Sequence, residues 1–145
     1  MAAFVYKFKT VKKVKEQLKK KIEKELAEVE LEISDAGNKM NDLHKELIYI
    51  KESLSSSNMK ISEIQFRNSS ETIIKNKLDD VKKEIEKLQK KKLVVISELE
   101  KKSKEHKMFD ILEDNMRAQF TTDQNKIENE QINELAVQKF ARNQL

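Results

Sequence analysis

The chain has 145 residues with 30 Lys and Arg against 26 Asp and Glu, so 39% of it is charged while the formal net charge is only +4. With one glycine and no proline, cysteine or tryptophan, it has too few chain-reversing residues for a compact fold of many short elements, which argues against a sheet domain. The same absences remove glycine-rich phosphate loops, cysteine-ligated zinc, disulfides and cysteine nucleophiles. No apolar run approaches the roughly 20 residues of a membrane span. The longest is Leu93 to Ile96, so a soluble, intracellular chain with no direct membrane insertion is expected.

From Ile22, apolar residues recur at spacings of four and three: Ile22, Leu26, Val29, Ile33, Ala36, Met40, Leu43, Leu47, Ile50 and Leu54, then Ser57, Ile61 and Ile64. A two-position stripe of period 3.5 sustained this long is a coiled-coil seam and not the wider face of a globular helix. Upstream, Phe4, Phe8, Val11 and Leu18 follow the same rule with Lys15 interrupting. The four-plus-four step from Leu18 through Ile22 to Leu26 predicts one stutter. A second series runs through Ile74, Leu78, Val81, Ile85, Leu88, Lys92, Val95, Leu99, Lys102, His106, Phe109, Leu112, Met116, Phe120 and Ile127. Lysine stems lie along apolar surface with the ammonium in water, so the seam lysines weaken this stripe without ending it.

Between the series lie Ser53, Ser55, Ser56, Ser57 and Asn58, then Asn68, Ser69, Ser70 and Glu71. Asn68 and Glu71 have the spacing of a helix cap and its reciprocal acid, which predicts a turn at about 66–70. The expected fold class is all-α: one coiled-coil domain over 1–145, a long antiparallel two-helix hairpin with arms at about 3–65 and 71–142. Each arm would reach roughly 100 Å.

Charge supports the antiparallel pairing. Residues 1–24 hold nine lysines and two acids, and residues 110–135 hold seven acids against Arg117 and Lys126. A hairpin turning near residue 69 lays the lysine-rich segment beside residues 115–134, whereas a parallel dimer would bring lysines together. The chain is therefore expected to be monomeric alone. Lysines that face acids, with only three arginines in all, also argue against nucleic acid as a partner. A second cluster, Lys82, Lys83, Lys87, Lys90, Lys91 and Lys92, is only partly offset by Glu84 and Glu86; it is either a solvent-facing surface or the better site for an acidic partner.

Chemistry is not expected. His44 and His106 are the two histidines, and neither has further ligands at metal spacing. A two-helix hairpin offers no concave pocket to shift carboxylate pKa values. The reading is of a non-enzyme with no catalytic, cofactor or metal site. Aromatic placement says more. Phe4, Val5, Tyr6 and Phe8 crowd one end of the first arm, and Ile132, Leu135, Ala136, Val137 and Phe140 crowd the end of the second. A hairpin with equal arms brings the two groups together at its open end. There they either cap each other's core or form a surface that another protein covers. At the opposite end Phe66 falls off the seam beside the predicted turn, with Ile73 and Ile74 close by, and is a second contact candidate. Tyr49, next to Ile50, is expected to pack along the hairpin.

Tyr6-Lys7-Phe8 followed by Val11, Val14, a lysine-rich stretch and Glu23-Lys24-Glu25-Leu26-Ala27 resembles the opening of the FliJ family, the small coiled-coil component of the flagellar type III export apparatus. The segment from Glu128 through Glu130, Asn133, Glu134, Leu135 and Ala136 to Phe140-Ala141-Arg142 is similar to that family's acidic ending. It carries Asn133-Glu134 where Asp-Glu is more usual. The resemblance implies a stalk like the two-helix part of a rotary ATPase gamma subunit. The stalk's open end, Phe4, Tyr6, Phe8, Leu135 and Phe140, would enter a hexameric export ATPase. Other surfaces would meet the export gate membrane protein and export chaperones, at the inner face of the cell membrane. A structural coiled coil of another kind, dimer or filament component, and a basic nucleic-acid binder are the alternatives.

Overall fold

In the computed structural model, which describes residues 2–53 and 59–144, the chain forms two helices: α1 Lys9–Ser53 and α2 Ile61–Asn143. They pack side by side in opposite directions as an all-α helical hairpin. Contacts divide it into two compact units, Lys20–Glu100 and the pair Met1–Lys19 with Lys101–Leu145.

In the unit Lys20–Glu100 the period-3.5 stripes meet as expected. Ile22, Val29, Ala36 and Leu43 are buried from α1, and Ile74, Leu78, Val81 and Val95 from α2. Leu43, Ile74, Leu78 and Val81 form one apolar cluster, flanked by Met40, Leu47, Ile50 and Ile85. Seven-residue spacing of the most buried α1 positions is the coiled-coil geometry, in which each seam side chain inserts between residues of the facing helix. Lys92 reaches across to Glu30 at 3.4 Å.

The expected turn at 66–70 is overturned, because those residues lie inside α2. Bonds one turn apart run through this stretch of the helix. The Thr72 hydroxyl donates to the Asn68 carbonyl at 2.9 Å, and Arg67 pairs with Glu71 at 3.2 Å one turn on. The cap lies earlier: the Lys60 backbone N–H donates to the Glu63 carboxylate at 3.2 Å, and the Glu63 and Ile64 N–H groups donate back to the Lys60 carbonyl. This is the acidic half of a capping box, with Glu63 also well placed against the helix N-terminal dipole. Reversal therefore falls between Ser53 and Ile61. The expected seam residues Leu54 and Ser57 lie outside the described residues, and Ile61 and Ile64 are exposed on α2 and extend no seam.

An early turn makes the arms unequal, 45 residues in α1 and 83 in α2. It also shifts every pairing. Lys15 meets Glu105 at 3.0 Å, where the equal-arm hairpin placed a partner near residue 124.

Candidate docking surfaces

In the unit built from residues 2–19 and 101–144, α1 keeps its heptad without the expected stutter. Stepping back from Ile22, the seam positions Lys19, Lys15 and Lys12 are half-buried, as is Glu16 beside them, while Val11, Val14 and Leu18 are left exposed on the flank. Lysines occupy the seam because α2 supplies acids across it. Lys12 Nζ lies 2.7 Å from Asp110 and 2.5 Å from Glu113, and Lys15 bonds to Glu105. Hydrogen bonds from Lys12 hold the Asp110 and Glu113 carboxyls below their ordinary range, and Lys15 does the same for Glu105. These bonds hold the Lys12 ammonium above its usual value. Opposite charges do meet here, but the acids are Glu105, Asp110 and Glu113 instead of residues 115–134.

Residues 2–6 precede α1 without regular structure, and residues 7–8 form a turn. Phe4, Tyr6 and Phe8 turn one way while Val5, 80% exposed, and Lys7 face water. Such alternation is the period of an extended segment and not of a helix. Phe4 packs against the Phe120 ring at 5.6 Å between centroids, under the Arg117 guanidinium at 4.8 Å, and Phe8 meets Phe109 edge-on at 6.4 Å. The Tyr6 hydroxyl donates to the Phe109 carbonyl at 2.9 Å, and Tyr6 is only 7% exposed. Burial pushes its phenol above the ordinary value, with the Glu113 carboxylate adding to the effect. The segment and the start of α1 border an open groove of about 530 Å³ whose lining includes Phe4, Tyr6, Lys9, Lys13 and Arg117.

The N-terminal and C-terminal apolar groups are not brought together. Phe4, Tyr6 and Phe8 end on α2 near Phe109 and Phe120, whereas Leu135 lies 15 residues past Phe120, about 22 Å along the helix. From Asn125 to Asn143 every residue of α2 is exposed, including Ile132, Leu135, Val137 and Phe140. The equal-arm geometry fails here because α1 stops covering α2 once the turn moves toward the N-terminus. Ile127, expected on the seam, is exposed for the same reason, and at the Leu112 step the seam position passes to the half-buried Glu113.

In the unit Lys20–Glu100, Phe66 is 70% exposed and, with Tyr49, Ile50, Ile73 and Ile74, lines a groove of about 570 Å³. Tyr49 is exposed there instead of packing along the helices. His44 is exposed. His106 lies half-buried on the seam, its Nδ1 3.5 Å from Asp110, with no hydrogen-bond partner at Nε2. Among the described residues no group of three or more His, Asp or Glu side chains is placed to hold a metal ion, and no helix is long and apolar enough to cross a membrane.

A helical hairpin with a heptad seam, basic and aromatic at the start of the chain and bare over the last turns of α2, defines a coiled-coil protein built around surfaces and not around a pocket. The family model described as "Flagellar FliJ protein" matches residues 4–145, and the chain belongs to that family. Membership makes it a component of the flagellar type III export apparatus. No curated protein and no solved structure matches it.

Proposed function

We propose that the protein is a stalk and adaptor that binds the hexameric export ATPase, stimulates it, and links it to the export gate membrane protein and to substrate chaperones. The observation that carries this reading is the bare C-terminal stretch of α2. Ile132, Leu135, Ala136 and Phe140 recur at three- and four-residue spacing on a preformed helix. An amphipathic helix of this kind is completed by the groove of another protein. Leu135 and Phe140 are the anchors of that contact, and Phe66 with its groove serves a second partner. Phe4, Tyr6 and Phe8 act indirectly, holding α2 in place through Phe109 and Phe120. The chain works as one coiled-coil domain, monomeric before assembly, peripheral at the inner face of the membrane through the apparatus, and without a role for nucleic acid.

The test is ATP turnover by the purified export ATPase with wild-type protein and with Leu135→Asp and Phe140→Asp. Loss of a central anchor weakens binding about 30-fold or more. Stimulation should disappear at concentrations where the wild type saturates, with helical circular dichroism unchanged. No stimulation by the wild type, or full stimulation by both variants, would refute the reading.

A further inference from the structure

The seam acids engage only some of the lysines in this unit. Residues 2–19 and 101–110 contain ten lysines, at 7, 9, 12, 13, 15, 19, 101, 102, 104 and 107, against Glu16, Glu105 and Asp110. Of the α2 acids, Glu105, Asp110 and Glu113 are engaged by Lys12 and Lys15 across the seam. Lys101, Lys104 and Lys107, all exposed, take part in no ion pair among the described residues.

These lysines border an apolar patch that faces away from α1. At 100° per residue, Lys101, Lys104, Met108, Ile111 and Asn115 fall within an arc of about 80°, with Leu112 and Lys107 at its edges. Seam residues Lys102, His106, Phe109 and Glu113 lie on the opposite side of the helix. Met108, 68% exposed, and Ile111 and Leu112 line a shallow, strongly apolar depression with Phe109 and Asn115. No carboxylate falls inside this arc between residues 101 and 115; Asp114 lies beyond its edge.

We propose that the outer face of α2 over residues 101–115 docks on an anionic lipid surface. Lysines beside Met, Ile and Leu on one helical face are the arrangement that lies flat in a headgroup layer, the apolar side chains shallowly buried and the ammonium groups among phosphates. Lysine is a point charge suited to a field of headgroups, while arginine, with its planar fork, is the usual reader of individual phosphates or bases. The one ring at this depression, Phe109, is half-buried and packs against Phe8, so it is not free to stack on a base. The depression is shallow and lined by no cationic side chain, so it presents no charged cleft for an acidic peptide. Docking needs no folding, because α2 is already formed on its other side by the seam. The inference is independent of the ATPase reading, whose anchors lie beyond residue 125.

Co-sedimentation of the full chain with vesicles tests it, comparing pure phosphatidylcholine with an equal mixture of phosphatidylcholine and phosphatidylglycerol. Binding is expected to the anionic vesicles alone, and to fall as salt rises to about 0.15 M. K101Q/K104Q/K107Q should bind about 100-fold more weakly, from the attraction of each lysine near an anionic surface. M108S/I111S should also bind more weakly at unchanged helicity, and K83Q/K87Q/K90Q should bind as the wild type does. Absence of binding to anionic vesicles at low salt overturns the proposal, as does duplex DNA binding without vesicle binding. Equal losses in the two lysine variants, which would reduce the effect to net charge, overturn it too, and so does undiminished binding by M108S/I111S.

Discussion

A lysine on a coiled-coil seam is tolerated where its stem covers apolar surface and its ammonium finds acids on the partner helix, and Lys12 meets both conditions with Asp110 and Glu113. Because Lys12 and Lys15 depress the folded-state pKa values of Asp110, Glu113 and Glu105, this part of the stability is present above the ordinary carboxylate range. It is lost as pH falls through the folded-state values. Thermal melts are expected to show a midpoint that declines below about pH 4, and a smaller decline in D110N/E113Q. Gly37 offers a separate test. It sits in the interior of α1 without positive φ, and a Cβ built there meets nothing within 4 Å. Gly37→Ala should therefore stabilise the protein by about 1 kcal/mol, read from the urea midpoint, because glycine gives up more backbone freedom on folding than alanine. Both residues are plain in the sequence, yet Lys12 reads there as one basic residue among nine, since its acids lie about 100 positions away.

For the elements, the stripes from Ile22 to Ile50 and from Ile74 to Phe109 were legible because a seam of period 3.5 needs only local spacing. Leu78 is central to the packed cluster. Leu78→Ala should cost about 2–3 kcal/mol of unfolding free energy by chemical denaturation, whereas Leu93→Ala on the exposed side of α2 should change it by less than about 0.5 kcal/mol. The turn was misplaced because two polar clusters compete for it, and composition ranks them equally. Asn68, Ser69 and Ser70 sit in a helix whose apolar partners Ile74 and Leu78 must begin close to the turn, and tertiary packing overrides their preference for caps. Glu63, three residues after Lys60, was the available signal, obscured because lysine is not a favoured cap. The alternation Phe4, Tyr6, Phe8 was likewise a period-two signal inside a stretch read with a helical period.

For the whole molecule, the amino-acid order alone determined the all-α class, the two heptad stripes, the antiparallel sense and the absence of machinery built on cysteine or glycine. These follow from composition, from spacing within a few residues, and from opposite charges at the two ends of the chain. The resemblance carried by Tyr6 to Phe8 and by Glu128 to Arg142 agrees with the family match over residues 4–145. Only the tertiary structure decided the register. Every candidate surface depends on it: Tyr6 is buried against α2, Leu135 and Phe140 are bare, and Lys101, Lys104 and Lys107 form no ion pair among the described residues. A heptad seam repeats every seven residues, so sliding one helix along the other by whole heptads changes the apolar pairing little. The choice among such registers rests on the reversal between Ser53 and Ile61 and on the cross-seam contacts of Tyr6, Phe8, Lys12 and Lys15, none of which has a local pattern.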